Sequence, residues 1–155
     1  MASIHINPAN LDAASASIPK DTPILMLNLL RFRTTATYPA DSSPSLPPAS
    51  GKDAYLTRYI PIFQSIASTV DESIQPFWFG APVGHLVSAK DVSEEAKAEE
   101  WHVAALVRYP SFAAFRKVTE SERYVKEGLP HRLASLEDWR LIATVEMEAE
   151  QLLGG

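Results

Sequence analysis

The sequence predicts an α+β domain in which an antiparallel sheet carries helices on one face. Two near-continuous apolar runs, residues 23–33 and 101–109, have the length and composition of buried strands. An amphipathic helical stretch follows each run, and residues 139–147 alternate apolar and polar side chains as a further strand does. A chain of 155 residues favours one domain with a core that needs no metal or disulfide.

Composition narrows the classes of partner. The formal net charge is −5, from 14 basic and 19 acidic residues. Such a surface repels phosphate backbones and anionic membranes, so neither nucleic acid nor a membrane is expected as a partner. There are no cysteines, which excludes disulfides and thiol chemistry and suits a reducing compartment. Without a signal-like start or a span of roughly 20 apolar residues, the expected location is the cytoplasm.

A helix cap and the alternation of side chains along a strand predict the first two elements. Asn7 is expected to cap a short helix that starts at Pro8 and stops before Pro19. In the first strand, Asn28 is a polar side chain in an apolar run, so it must find hydrogen-bond partners. Alternation divides this strand into Ile24, Met26, Asn28, Leu30 and Phe32 on one face and Leu25, Leu27, Leu29, Arg31 and Arg33 on the other.

The middle of the chain is less regular. Residues 34–51 contain four prolines and are predicted to form an extended loop, a candidate lid. Ser50 is expected to cap a helix that runs to about Val70 and is kinked at Pro61. Residues 74–87 read as a strand interrupted by a bulge or turn at 80–82, and residues 88–100 as a solvated linker or frayed helix.

The last third repeats the strand–helix–strand pattern. Pro110 ends the second apolar strand and Ser111 caps a helix. Thr119 has capping-box spacing for a further turn. Gly128 and Pro130 are expected to break the chain before a short helical piece, residues 131–136.

The order strand–helix–strand–strand–helix–strand is the ferredoxin-like split βαβ arrangement. It leaves one apolar sheet face bare, and two such faces can close into a barrel, so a homodimer with an enclosed cavity is expected. The predicted divisions are an N-terminal helical extension (1–22), the main domain (23–148) with a proline-rich insertion (34–51), and a tail (149–155).

Three segments carry a family resemblance. Residues 25–32 (LMLNLLRF), 108–115 (RYPSFAAF) and 131–138 (HRLASLED) resemble the dimeric α/β-barrel superfamily, within it a branch of small proteins labelled as a domain of unknown function. The resemblance spans residues 23–145. It implies a homodimer with a pocket between sheet and helices. The superfamily's enzymes include cofactor-free cyclases, dehydratases, isomerases, decarboxylases and monooxygenases, with some haem-using members, so it assigns no single activity.

His131 and Arg132 are the leading catalytic candidates. Histidine exchanges protons near neutral pH, and an adjacent arginine could hold an enolate or carboxylate oxygen. The alternative is a surface histidine and an arginine that ties down a loop. Asn28 is a candidate donor to a substrate carbonyl or a structural amide, and Arg31 and Arg33, near the strand end, could bind an anion, stay solvated or pair with a carboxylate. The four histidines lack metal-ligand spacing, so no metal is expected.

Aromatic side chains form the second candidate constellation. Aromatics with a polar tip suit a pocket for a phenolic or polyketide-like ligand, although plain core packing explains such residues equally well. The predicted substrate-binding aromatic residues are Tyr55, Tyr59, Trp78, Trp101, Tyr109 and Tyr124.

The leading functional hypothesis is a cofactor-independent lyase or isomerase, of cyclase or dehydratase type, acting on an aromatic or polyketide-like molecule. No cofactor fingerprint occurs in the sequence, so any chemistry would be acid–base chemistry. The alternatives are a non-catalytic small-molecule carrier and a cofactor-free monooxygenase on a phenolic substrate, with haem binding as a weaker variant.

Overall fold

A computed structural model describes residues 5–40, 46–87 and 100–154 of the chain. Four strands and two long helical runs make up the domain, with a short helix near each terminus. The helical elements are α1 (Pro8–Ser17), α2 (Gly51–Ala54), π1 (Tyr55–Tyr59), α3 (Ile60–Val70), α4 (Phe112–Thr119), π2 (Tyr124–Gly128), α5 (Leu129–Ser135) and α6 (Ala149–Leu152). The strands are β1 (Ile24–Phe32), β2 (Gln75–Gly80), β3 (Val103–Tyr109) and β4 (Leu136–Thr144).

The strands form one antiparallel sheet in the order β2-β3-β1-β4. With its two helical crossovers, this order confirms the predicted ferredoxin-like α+β fold. Strand β1 lies between β3 and β4, and Asn28 sits opposite Ala105 on one side and Leu141 on the other. A polar side chain is therefore placed at the centre of the sheet.

Burial along β1 alternates strictly, as the sequence predicts. The face that carries Met26, Asn28 and Leu30 packs against the helical runs and forms the core. The opposite face stays partly accessible; its centre is apolar, and Arg31, Arg108, Arg140 and Thr144 lie around that centre. We call it the open face; its central side chains are Leu25, Leu27, Leu29, Ala104, Leu106 and Ile142.

The predicted caps of the first helices are observed. Asn7 accepts a hydrogen bond from the Ala9 amide, and the Ser50 hydroxyl accepts one from the Asp53 amide. The described parts of the proline-rich loop, residues 34–40 and 46–50, contain no helix or strand, as predicted. None of the described helices is long and apolar enough to cross a membrane.

Two boundary predictions on the outer strands are wrong. The strand predicted over residues 74–87 ends at Gly80: residues 81–87 pair with no strand among the described residues, and Val83 is 99% exposed. The last strand starts at Leu136 and ends at Thr144, about three residues earlier than its apolar alternation indicates. Residues 88–99 of the predicted linker lie outside the described residues.

Two helix predictions also need correction. Gly128 and Pro130 do not break the chain, because π2 continues directly into α5. The cap of this helical run is Ser121 rather than Thr119, since the Ser121 hydroxyl accepts the Tyr124 amide at 3.1 Å. Near Pro61, the distortion of the first helical run takes the form of a π segment just upstream of the proline.

Gly51 gives a direct test of how tightly the first helix is joined to the sheet. A Cβ atom there would lie 2.5 Å from the Ser135 carbonyl oxygen and 2.8 Å from the Arg33 nitrogen, both backbone atoms. We expect Gly51→Ala to lower the free energy of unfolding by about 2 kcal/mol or more, because backbone atoms must move apart. Urea unfolding measures the change.

Gly84→Ala is the matched control. The Cβ added at Gly84 has only the Leu86 Cδ2 atom within 4 Å, at 3.9 Å. Its stability should stay within about 0.5 kcal/mol of wild type. Equal stability of the two variants would contradict the close approach at Gly51.

Candidate functional site

A cavity of about 1180 Å³ lies between the inner face of the sheet and the two helical runs. Its walls are mainly apolar and aromatic, and a few polar side chains converge at its centre. Those central polar residues are Asn28, Tyr55, Tyr59, Tyr109, Tyr124 and Arg132. An apolar hollow with few convergent polar groups is typical of a small-molecule site.

Arg132 lies at the centre of this polar group, although it is only 5% exposed. Helix α5 directs it toward the sheet. One terminal nitrogen donates to the hydroxyl oxygens of Tyr59 at 3.0 Å and Tyr55 at 3.4 Å. The other donates to the Asn28 side-chain oxygen at 3.2 Å. Trp139 stacks against the guanidinium, with its ring centroid 4.3 Å from Cζ.

The charge of Arg132 is not neutralised by the described residues. No described carboxylate forms an ion pair with it, and its Nε atom is buried with no hydrogen-bond partner. Burial opposes the charged form, but the nearby tyrosines and their hydrogen bonds outweigh this and raise the pKa of Arg132. The guanidinium is therefore a permanent cation in an apolar interior.

The tyrosines remain protonated at neutral pH. Burial raises the pKa of Tyr55 to about 12, against an opposing effect of Arg132, and raises the pKa of Tyr59 and Tyr124 as well. The Tyr59 and Tyr124 hydroxyls share a hydrogen bond of 3.0 Å. Since that bond uses one of the three hydroxyl hydrogens, two are left to donate into the cavity.

Asn28 explains the polar anomaly of β1. Its amide nitrogen donates to the Met26 carbonyl at 3.2 Å, and its oxygen accepts from Arg132. The Asn28 amide is thus oriented by the backbone, and its oxygen holds one side of the guanidinium. The position of Asn28 within an apolar strand is enough to mark it as a residue that needs hydrogen-bond partners.

The two π segments place the tyrosines. In each, a backbone amide donates five residues back rather than four: Ile60 to Tyr55, and Leu129 to Tyr124. The second residue after each segment is a proline, Pro61 or Pro130. Because proline has no N–H, a regular α-helix would leave one backbone carbonyl there without a donor. The repeated pattern Tyr-x₄-(Ile/Leu)-Pro, at residues 55–61 and 124–130, is the sequence signal that could have revealed these segments.

The charges around the cavity have one sign. Among its described lining residues there are three cationic side chains, Arg33, Lys52 and Arg132, and no aspartate or glutamate. The whole chain has an excess of acidic residues, so this distribution is opposite to its overall charge. Such a cavity favours an anion.

Six of the ten predicted site residues are brought together here: Asn28, Tyr55, Tyr59, Tyr109, Tyr124 and Arg132. The other four lie elsewhere. Trp78 faces the open side of the sheet, opposite Leu106, and is 50% exposed. Arg31 pairs with Asp138 at 3.6 Å and stacks on Trp101 at 4.8 Å, away from the cavity.

His131 also lies outside the cavity lining. Its Nδ1 atom shares a 2.7 Å hydrogen bond with the Tyr38 hydroxyl, and Arg58 donates to the same hydroxyl at 3.3 Å. His131 therefore ties the proline-rich loop to the helices, whereas the alternative considered from the sequence gave that role to Arg132, which is buried in the cavity wall instead. Trp139 and His102 also line the cavity and were not predicted to, because each is equally compatible with core packing or a strand end. Arg33, a predicted anion-binding candidate, was expected on the opposite face; it lines the cavity because β1, and with it the alternation, ends at Phe32.

Metal coordination finds no support in the described part of the chain. No group of three or more histidine, aspartate or glutamate side chains is placed there to hold a metal ion.

Comparison with known proteins gives structural neighbours only. No family model matches the chain, and no curated protein matches it. A protein of unknown function from Rhodopseudomonas palustris is similar over 96% of this chain and 99% of its own, with 26% identity and a TM-score of 0.77. A methylated form of that protein has a TM-score of 0.72 and the same 26% identity, over 95% of this chain and 96% of its own. A dabb family protein with a ferredoxin-like fold from Mesorhizobium loti gives 0.47 at 12% identity, over 81% and 98% of the two chains.

The lowered pKa of His131 predicts how the stability of the fold depends on pH. Burial, followed by the charge of Arg58, lowers the pKa of His131 below its ordinary value of 6.5. Its neutral form is therefore favoured by folding, and this contribution is full above pH 6.5 and lost as pH falls through the folded pKa. We expect wild type to lose more stability than His131→Gln between pH 7 and pH 5, measured by urea unfolding. Parallel losses in the two proteins would contradict this.

Proposed function

We propose that the protein binds a small organic anion, or a weak acid that ionises on binding, in the cavity around Arg132. One observation supports this most strongly: a buried guanidinium that has no carboxylate partner among the residues that the structure describes. An uncompensated charge in an apolar interior costs several kcal/mol, and an anionic ligand offsets that cost. The protein is then incomplete without its ligand.

The donors define the ligand's reactive end. Arg132, the Tyr55 hydroxyl and one hydroxyl of the Tyr59–Tyr124 pair offer hydrogens, and the amide of Asn28 keeps its own oxygen on Arg132. A phenolate or enolate oxygen fits such a set, because it accepts several hydrogen bonds and carries the opposite charge. The rest of the ligand faces aromatic and aliphatic walls. An aromatic or polyketide-like body with one acidic oxygen meets both requirements.

The probe 4-nitrophenol tests the proposal, because its ionised and neutral forms absorb at different wavelengths. Wild-type protein should bind it and raise its ionised fraction at a pH where the free phenol is mainly neutral. Arg132→Gln should weaken binding at least about tenfold and remove the spectral shift, since a charge-assisted hydrogen bond is lost. Absorbance titration reports affinity and ionisation together.

Tyr59→Phe and Arg123→Gln complete that experiment. Tyr59→Phe keeps the ring and removes a hydroxyl bonded to Arg132, so it should reduce the ionised fraction even if Arg132→Gln fails to fold. Arg123→Gln changes the same charge on the surface, where Arg123 pairs with Glu127, and should bind as wild type does. A wild-type protein that leaves the nitrophenol spectrum unchanged would refute the proposal.

A second candidate function uses the same site for catalysis, as a cofactor-independent lyase or isomerase. The observation in its favour is the set of protonated phenols beside Arg132, which can stabilise an enolate as it forms. The described cavity lining contains one imidazole, His102, whose Nδ1 atom accepts the Phe32 amide at 3.0 Å. Neutral His102 therefore carries its hydrogen on Nε2, where it can donate a hydrogen bond but cannot accept one.

Deuterium exchange separates the two candidates. An enzyme that forms enolates should accelerate exchange at the α-carbon of 2-tetralone in D₂O, and Tyr59→Phe should reduce the rate about tenfold or more. A binding protein should bind the ketone without accelerating exchange. Proton NMR measures both the binding and the exchange.

We also propose that two copies of the chain associate through the open face. Leu27 lies opposite Leu106 on one neighbouring strand and Ile142 on the other, so this face has an apolar centre. Contiguous apolar surface of this kind is typical of a protein interface. Each copy would keep its own cavity on the helical side of its sheet.

Leu27→Arg should convert the dimer to a monomer, because it places a charge at the centre of the interface. Analytical ultracentrifugation over a range of protein concentrations measures the molar mass. Leu152→Arg, on the exposed helix α6, is the control and should remain dimeric. A wild-type protein that sediments as a monomer at all concentrations would contradict the proposal.

A further inference from the structure

We propose that the mouth of the cavity holds a second anion subsite, built from Arg33 and Lys52, so that the natural ligand is an elongated acid with a carboxylate at the end remote from Arg132. This inference rests on the proposed function, because it assigns the other end of the same ligand. Arg132 would hold the phenolic or enolic oxygen, and Arg33 and Lys52 the carboxylate.

The backbone fixes the position of the mouth. The Arg33 amide donates to the Ser135 carbonyl at 2.8 Å, and the Arg33 carbonyl accepts from the Gly51 amide at 3.1 Å. Arg33 is thus held between the end of the helix that carries Arg132 and the start of the helix that carries Tyr55. Lys52 follows Gly51 directly, and both cationic residues line the cavity.

The charges at the mouth are not balanced by the described residues. The Arg33 Nε atom is buried and has no hydrogen-bond partner. Arg31, two residues earlier, forms an ion pair with Asp138, whereas Arg33 has no carboxylate partner among the described residues. Asp53, next to Lys52, is exposed and does not line the cavity. A carboxylate from a ligand would supply the negative charge that these two cations lack.

The spacing of the two subsites sets the length of the ligand. Asn28 contacts Arg132, and Phe32 ends the same strand four residues later, roughly 13 Å away at about 3.3 Å per residue. Aromatic side chains line this interval. The ring centroids of Phe32 and Tyr55 lie 5.4 Å apart, and the Phe32 ring stacks on the His102 ring with a centroid distance of 5.9 Å. Two or three fused rings with acidic groups at opposite ends fit this distance and these walls.

Two naphthalenes test the inference: 2-naphthol, with a phenolic oxygen only, and 6-hydroxy-2-naphthoate, with a carboxylate at the other end. Calorimetric titration should show that wild type binds the hydroxynaphthoate about tenfold or more tightly than the naphthol. Lys52→Gln should remove most of this preference, lowering the affinity for hydroxynaphthoate far more than the affinity for naphthol, because Lys52 lies at the exposed edge of the cavity. Arg33→Gln should act in the same direction.

The control is Lys20→Gln, which removes one positive charge from an exposed site outside the cavity and should keep the preference. Equal affinity of wild type for the two naphthalenes, or a preference that survives both Lys52→Gln and Arg33→Gln, would overturn the second subsite while leaving Arg132 as the binding centre. Failure of wild type to bind either naphthalene would overturn the proposed function and this inference together.

Discussion

The charge of Arg132, enclosed by aromatic rings and neutral hydrogen-bond acceptors, is the constraint that organises this site. Two tyrosine hydroxyls and one asparagine oxygen accept from it, and Trp139 covers one of its faces. These contacts reduce the cost of burial but supply no negative charge. Apolar side chains of similar volume would stabilise such a core equally well or better, so the cation contributes little to folding. Under the proposed function, the role of this cation is to bind an anionic ligand.

The backbone distortions of both helical runs serve the same centre. Each π segment begins at a tyrosine that enters the cavity and ends just before an Ile-Pro or Leu-Pro pair. Isolated π turns are an unfavourable helical geometry that occurs frequently at functional sites. At Gly128, in the second π segment, a Cβ atom would lie 3.3 Å from the Tyr124 ring, so a glycine leaves room for this ring within its own helical run. The two crossovers of the fold thus supply equivalent halves of the site.

The architecture and about half of the site could be predicted from the sequence. Apolar runs and alternation identify the central strands, and they mark Asn28 as a polar residue that needs a partner. The errors have local causes. His131 and Arg132 are neighbours on one helix, where successive side chains point about 100° apart, so only Arg132 reaches the cavity. Trp78 follows an irregularity in β2 between Pro76 and Trp78, which moves it to the open face. Neither effect can be seen in residue types alone.

A crystal structure of the protein with 4-nitrophenol bound would test the central claim most directly. The account predicts the phenolate oxygen within about 3 Å of an Arg132 nitrogen or a hydroxyl of Tyr55 or Tyr124, with the ring between the aromatic walls. A structure in which a carboxylate of the protein itself pairs with Arg132, and the nitrophenol lies elsewhere, would show that the charge is already satisfied and would contradict the account.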